Sequence, residues 1–157
     1  MLQRVALFVF AFALCAASAW AQQDPLVGTW KQNLAKTKND PGPQPQNSIT
    51  IKREAAANGA LKTTVDGIDA QGKPTHTEYT AKYDGKDYPV TGSADSDAVA
   101  MTRIDLHTRV LINKKAGTVV RILRGTVSPD GKTYTAVSVG IDAQGRAFHN
   151  IGVFDKQ

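Results

Sequence analysis

The residues of this chain that could do chemistry are few and scattered. Its three histidines, His76, His107 and His149, lie far apart in sequence, whereas the ligands of zinc motifs come at short, regular spacings. Its single cysteine, Cys15, belongs to an apolar N-terminal run, so the rest of the chain offers no thiol nucleophile and no thiolate ligand. We therefore predict no metal site and no cofactor, unless His76 and His149 meet in space.

The carboxylates and serines likewise form no recognisable catalytic set. Asp69, Asp84, Asp130 and Asp142 all fall in predicted turns, where an aspartate serves the backbone. No serine stands in the Gly-x-Ser-x-Gly pattern of a nucleophile elbow. The sequence therefore predicts no catalytic residues, and a hydrolase or an isomerase ranks last among the functions considered.

Two arginines fall into alternating apolar sets and could contact a ligand. Arg103 shares its alternation with Val99 and Met101, and Arg124 shares its own with Val120 and Ile122. An arginine on an apolar face either pairs with a carboxylate or binds an anion. The strand 119–127 is nearly as apolar on its other face, which also carries an arginine, so its orientation stays open. Both side chains could also point outward.

Aromatic residues and one methionine complete the candidate site. If the alternating strands close into a barrel, these side chains either line a ligand cavity or fill the core, because small barrels are filled by side chains. The candidate ligand-binding residues are Trp30, Tyr79, Tyr83, Met101, Arg103, Arg124 and Phe154.

The elements that must position these residues are short strands. Alternating runs recur about every 8 to 15 residues and are separated by turn residues, and no amphipathic helix is evident. The decapeptide Gly67–His76 recurs as Gly140–His149, and Asp-Ala-Gln-Gly forms the turn of a hairpin in each copy. The sequence therefore predicts an all-β fold: a closed or nearly closed up-and-down antiparallel barrel of about 8–10 strands.

The first 21 residues predict a targeting segment. Arg4 precedes an apolar run, and Ala19-Trp20-Ala21 is a small-x-small cleavage site. The run is too short to span a bilayer, which takes about 20 residues, so we expect no stable membrane insertion. We therefore predict a cleaved signal peptide over 1–21, a single domain over 22–157, and an exported protein in the periplasm or outside the cell.

The net charge argues against a nucleic-acid partner. The chain carries a formal charge of +5. This excess is spread along the sequence and forms no basic stripe interleaved with aromatic residues, which binding to nucleic acid would require. A protein partner is left unidentified by the sequence.

The two ends of the predicted domain resemble those of the calycin barrels, the lipocalins and fatty-acid-binding proteins. Val27-Gly28-Thr29-Trp30-Lys31 stands near the start and Val153-Phe154-Asp155-Lys156 at the finish. The resemblance implies that the first and last strands pair and that Trp30 closes the base. The segment Asp24–Lys31 is also similar to the start of small exported bacterial proteins that begin Asp-Pro-x-x-Gly-Thr-Trp-Lys.

Two features depart from the fatty-acid-binding pattern. Those proteins carry Arg-x-Tyr on the last strand, where this chain has Gly152 and Phe154. Their helical lid is replaced here by the proline-rich loop Gln32–Gln46. The resemblance therefore implies a barrel without that carboxylate clamp.

The leading functional hypothesis is an exported, non-enzymatic binding protein. Its ligand would be a small, partly apolar and possibly anionic molecule held inside the barrel. The alternative is a surface interaction module with a packed interior and no ligand. A cavity of about 300 Å³ or more would favour the first function, whereas a filled interior and an exposed apolar patch would favour the second.

Overall fold

The computed structural model describes residues 23–157, apart from Gln44, Ala70 and Ala143. The predicted signal peptide over 1–21 lies outside the described residues. Ten strands and one short 3₁₀ turn, Ala57–Gly59, make up the regular structure. The strands are β1 (Gly28–Gln32), β2 (Thr50–Ala55), β3 (Leu61–Ile68), β4 (Pro74–Ala81), β5 (Asp84–Thr91), β6 (Ala98–Arg103), β7 (Thr108–Lys115), β8 (Thr118–Val127), β9 (Thr133–Ile141) and β10 (Ala147–Lys156).

Each strand pairs with its neighbour in sequence, and the last strand returns to the first. All ladders are antiparallel, and the pairing of β1 with β10, which places Trp30 opposite Lys156, closes the barrel. The predicted all-β up-and-down barrel is therefore confirmed. No helix in the described part of the chain is long and apolar enough to cross a membrane.

The proline-rich loop begins as part of the barrel wall. After β1 ends, the chain continues beside β10: the Asn33 N–H donates to the Val153 carbonyl oxygen at 2.8 Å, and Lys38 forms a β-bridge with Ile151. The first half of this loop therefore covers the upper edge of β10, where β1 is too short to reach.

Trp30 closes one end of the barrel, hereafter the floor. Its side chain is fully buried, and its indole Nε1–H donates to the Leu26 carbonyl oxygen at 2.9 Å. The Tyr134 ring packs 5.7 Å from it on the interior side, and the Lys156 ammonium lies 5.0 Å from it. An indole suits this place because it fills a large volume and still has its polar N–H satisfied.

Asp24 fastens the segment before β1 to the outside of this floor. One carboxylate oxygen accepts the Leu26 N–H at 3.0 Å, and the other accepts the Tyr83 hydroxyl at 2.6 Å and an Arg103 N–H. The Arg103 guanidinium also lies 4.1 Å from the Tyr83 ring centroid. The conspicuous N-terminal Asp-Pro segment therefore has a structural role in this fold.

Candidate ligand-binding cavity

A cavity of about 330 Å³ lies inside the barrel above the floor. Apolar and polar side chains line it in comparable number. The apolar wall includes Ile51, Val65, Tyr79, Leu111, Leu123 and Phe154. The polar wall includes Arg53, Thr63, Ser96, Arg109, Asn113, Arg121 and Ser138.

Strand alternation turns three arginines into this cavity. Arg53 follows Ile51 on the inner face of β2, Arg109 precedes Leu111 on β7, and Arg121 precedes Leu123 on β8. Successive side chains on a strand point to opposite faces, so each arginine shares the interior with the aliphatic residue two positions away.

Among the three arginines, Arg53 has the most buried side-chain nitrogen atoms without a hydrogen-bond partner in the described part of the chain. Its side chain is only 3% exposed, and its guanidinium carbon lies 4.3 Å from the Tyr134 ring centroid, in cation–π range. Its Nε and Nη1 atoms have no hydrogen-bond partner among the described residues. Burial and the nearby charge of Arg109 both lower the pKa of Arg53. Guanidinium groups nevertheless stay protonated in proteins, so the charge remains.

Arg109 is held deeper by two side-chain hydrogen bonds. Its Nη2 donates to the Tyr134 hydroxyl at 3.0 Å and its Nη1 to the Met101 sulfur at 3.1 Å. Gly125 is its cross-strand partner on β8, and a Cβ there would lie 2.3 Å from the Tyr134 hydroxyl oxygen. The missing side chain at Gly125 therefore makes room for the contact between Arg109 and Tyr134.

Arg121 lies nearer the open end. Its Nε donates to the Asn113 side-chain oxygen at 3.1 Å, and the Asn113 amide donates to the Ser96 hydroxyl at 3.4 Å. Asn113 and Ser96 are both buried, so this chain of hydrogen bonds fixes one side of Arg121 and leaves the rest of its guanidinium facing the cavity.

The interior carries an uncompensated positive charge. None of the three arginines forms an ion pair with a carboxylate in the described part of the chain. Among the described residues that line this cavity, the one acid is Asp95, which is exposed at the rim. Burial raises the pKa of Tyr134, but the charges of Arg109 and Arg53 outweigh burial and lower it overall. Because a buried unpaired charge costs several kcal/mol, this arrangement favours an anion in the cavity.

A second cavity of about 420 Å³ adjoins the first at the end opposite Trp30. The two share five lining residues, Ser93, Asp95, Ser96, Asn113 and Arg121. The outer one adds an apolar wall of Val120, Ile141 and Phe148. The outer cavity therefore forms a vestibule that leads past Arg121 into the barrel.

Five of the seven sequence-predicted site residues fall into three groups. Tyr79 and Phe154 line the cavity. Trp30 and Met101 are fully buried in the packed floor, where Met101 contacts Arg109. Tyr83 lies at the base beside Asp24. Their roles in binding a ligand stay predictions.

Arg103 and Arg124 lie outside the cavity, so of the two orientations that the sequence left open the structure has the outward one. Arg103 shares its inward alternation with Met101, but it is the last residue of β6, and its guanidinium turns out toward Asp24. On β8 the face that carries Arg121 and Leu123 points inward. Arg124 therefore lies on the outer wall with Ile122, and both side chains are exposed.

Sequence reasoning missed Arg53, Arg109 and Arg121, although a signal for each existed. Each stands two positions from an aliphatic residue on an alternating strand, as Arg53 does from Ile51. The same signal placed Arg124 with Ile122, so alternation alone could not choose between the faces of β8. Pairing with β7 and β9 decides which face of β8 points inward, because Arg121 lies opposite Asn113 and Gly140, which are both at inward-facing positions.

The three histidines belong to no cluster of potential metal ligands in the described part of the chain. His76 contacts Asp66 at 2.7 Å on the exposed surface, and no group of three or more His, Cys, Asp or Glu residues in the described ranges could hold a metal ion.

Comparisons with known proteins bear on the fold. No protein-family model matches the chain, and no curated protein matches it. The structure is similar to that of zebrafish ileal bile acid-binding protein complexed with cholic acid, with a TM-score of 0.50 and 9% identity, over 85% of this chain and 99% of that one. At this identity the likeness shows the fold alone, a closed up-and-down antiparallel barrel.

Two further structures resemble this one with lower TM-scores. The tryptamine complex of the amine-binding protein of Rhodnius prolixus has a TM-score of 0.46 and 14% identity, over 83% of this chain and 64% of that one. A redesigned β-barrel bound to DFHBI has a TM-score of 0.44 and 14% identity, over 84% of this chain and 95% of that one.

Proposed function

We propose that this protein binds a small, anionic and partly apolar molecule inside its calycin-type barrel and performs no covalent chemistry on it. One observation carries the proposal: Arg53, Arg109 and Arg121 line the cavity without a carboxylate partner among the described residues. An anion would compensate these charges, and the aliphatic wall would bury the rest of the ligand.

The cavity suits a ligand of modest size. Its volume of about 330 Å³ falls at the lower end of the range of small-molecule sites. The vestibule adds an apolar path of Val120, Ile141 and Phe148, along which a tail could leave the interior. A head-inward pose places the anion near Tyr134 and the tail toward this opening.

The sequence features of the N-terminus complete the proposal. A signal peptide over 1–21 would export the domain to the periplasm or the exterior, where it would act as a carrier or scavenger. Calycin-type barrels with other ligands, such as the cholic acid complex from zebrafish, illustrate that this architecture can enclose a small molecule.

Native mass spectrometry of gently purified protein, before and after delipidation, tests the carrier function. We expect a bound mass that disappears on delipidation and returns when the extract is added back. Arg53→Met and Arg109→Met should prevent its return, whereas Arg124→Met, on the outer wall, should not. If the apoprotein mass alone appears and a library of anionic metabolites raises neither the mass nor the melting temperature, the carrier function is wrong.

A surface interaction module is the second candidate, and one feature favours it. Ile122 and Val139 are cross-strand neighbours on the outer wall and are 44% and 47% exposed, with Val137 beside them. A contiguous patch of exposed apolar residues marks an interaction site in soluble proteins. Ile122→Lys with Val139→Lys should abolish capture of a protein partner and leave small-anion binding intact; an unchanged partner set would remove this candidate.

A further inference from the structure

The lower part of the cavity presents hydrogen-bond donors without acceptors. Four buried side-chain atoms lack a hydrogen-bond partner in the described part of the chain: Nε and Nη1 of Arg53, Nε of Arg109 and Oγ1 of Thr63. All three side chains line the cavity, and none is more than 3% exposed. An unsatisfied buried donor costs about 1–3 kcal/mol, so the set calls for a ligand rich in acceptors.

These atoms belong to one cluster. Arg53 and Thr63 are cross-strand partners on β2 and β3 and face the same side of the sheet. The guanidinium carbons of Arg53 and Arg109 lie 4.3 Å and 5.6 Å from the centroid of the same Tyr134 ring. One ligand group beside Tyr134 can therefore reach donors from three strands, β2, β3 and β7.

The number and charge of these donors discriminate between anions. Each arginine Nε carries one hydrogen, Nη1 carries two and the threonine hydroxyl carries one. A carboxylate offers two coplanar oxygens and one negative charge, which leaves one of the two guanidinium charges uncompensated. A phosphate monoester offers three terminal oxygens arranged as a pyramid, and near neutral pH it approaches two negative charges.

We propose that the group bound by Arg53, Arg109 and Thr63 is the phosphate of a monoester whose apolar alcohol part packs on the aliphatic wall. This inference rests on the proposed function and names the ligand class for the same site. An ester suits the cavity better than free phosphate, because Ile51, Leu111 and Leu123 line the space beside the cationic cluster and free phosphate would leave them uncovered.

Calorimetric titration with three probes at pH 8 tests the ligand class: hexyl phosphate, heptanoate and inorganic phosphate. We expect hexyl phosphate to bind at least tenfold more tightly than either of the other two. A preference below tenfold over heptanoate overturns the inference while the proposed anion carrier stands. Equal binding of inorganic phosphate also overturns it and assigns the cluster to the free ion. If none of the three probes and no other anion binds, the proposed function fails as well.

Two variants test the location. Thr63→Val removes one donor and keeps the shape of the side chain, and Arg53→Lys keeps the charge but removes the planar set of donors. Each should weaken hexyl phosphate binding about tenfold and heptanoate binding by less than threefold. Arg124→Met is the matched control on the outer wall and should change neither. If both interior variants keep the wild-type circular dichroism and the wild-type preference for phosphate, the head group is bound elsewhere and the inference is wrong.

Discussion

Arg53 lies over the ring of Tyr134, with its guanidinium carbon 4.3 Å from the ring centroid, and no carboxylate of the described residues pairs with it. The aromatic ring is thus one partner of the buried Arg53 guanidinium. A second buried cation, Arg109, lies nearby. A buried cation without a carboxylate partner costs folding stability, and an anion in the cavity would offset that cost.

Arg53→Met should therefore make the ligand-free protein more stable. Replacing a buried, uncompensated charge with an apolar side chain of similar length removes its desolvation cost, and we expect the free energy of unfolding to rise by about 1–4 kcal/mol. Urea unfolding monitored by circular dichroism measures this change. Arg124→Met, on the exposed outer wall, should stay within about 0.5 kcal/mol of wild type. A destabilised Arg53→Met would show that the arginine supports the fold.

Gly125→Ala should destabilise the barrel by about 1–3 kcal/mol through overpacking. The new Cβ would lie 2.3 Å from the hydroxyl oxygen and 2.7 Å from the Cε2 carbon of the buried Tyr134 ring. Tyr134→Phe removes the nearest of these atoms, so Gly125→Ala should cost less in that background. Equal costs in both backgrounds, in a double-mutant cycle of thermal unfolding, would contradict the proposed contact.

Asp24→Ala should loosen the base without changing the affinity for anions. The substitution removes the acceptor of the Leu26 N–H, the Tyr83 hydroxyl and Arg103, at a cost of about 1–2 kcal/mol. Glu54→Ala is the control, because its exposed pair with Lys52 should contribute little. A loss of ligand affinity in Asp24→Ala would link the base to the cavity and return Arg103 to the list of binding residues.

Tyr83 should give the stability a dependence on alkaline pH. Burial, aided by the hydrogen bond to Asp24, raises the pKa of Tyr83 to about 12, against about 10 in the unfolded chain. The folded state therefore holds this proton more tightly than the unfolded chain does. The contribution of Tyr83 to the free energy of unfolding is fully present below about pH 10 and is lost as the pH rises from about 10 to about 12. Because the side chain is partly exposed, we expect a loss of about 1–2 kcal/mol.

Tyr83→Phe supplies the comparison for this pH effect. Urea unfolding at pH 9.5 and 11.5 should show a smaller loss of stability in Tyr83→Phe than in wild type. Equal losses in the two proteins would assign the alkaline destabilisation to other tyrosines or to lysines.

Asp95→Asn should strengthen anion binding. Asp95 is the acid at the rim of the cavity, and its charge opposes an incoming anion while it attracts Arg121. We expect the affinity for anionic ligands to rise about three- to tenfold at low ionic strength and this gain to shrink as salt screens the charge. Calorimetric titration measures both effects. Glu54→Gln, a neutralisation on the outer surface, should leave the affinity unchanged.

Much of the barrel could be predicted from the chain itself. Turn residues such as the two Asp-Ala-Gln-Gly segments separate short alternating runs, and such local signals define a strand and its two faces. The pairing of β1 with β10 and the closure by Trp30 followed from the resemblance to calycin barrels. The pairing of the first half of the proline-rich loop with β10 was not predicted. The position of a loop depends on which strand edge beside it is left unpaired, and that is known only once the sheet has formed.

The candidate site was predicted only in kind. The sequence offered arginines on apolar faces as candidate ligand contacts. Its candidates were Arg103 and Arg124, whereas Arg53, Arg109 and Arg121 line the cavity in the structure. Alternation determines which residues of β8 share a face. The two faces of β8 are almost equally apolar, so local hydrophobicity does not show which of them points into the barrel.

The sequence by itself thus determined the alternating strands, their up-and-down order and the presence of cations among apolar residues. The tertiary structure alone decided which cations lie inside. The reason is that a one-residue change in the facing of a strand exchanges all its inward and outward side chains, and only pairing with both neighbouring strands fixes that choice. For β8, these pairings turn Arg121 inward and leave Arg124 on the outer wall.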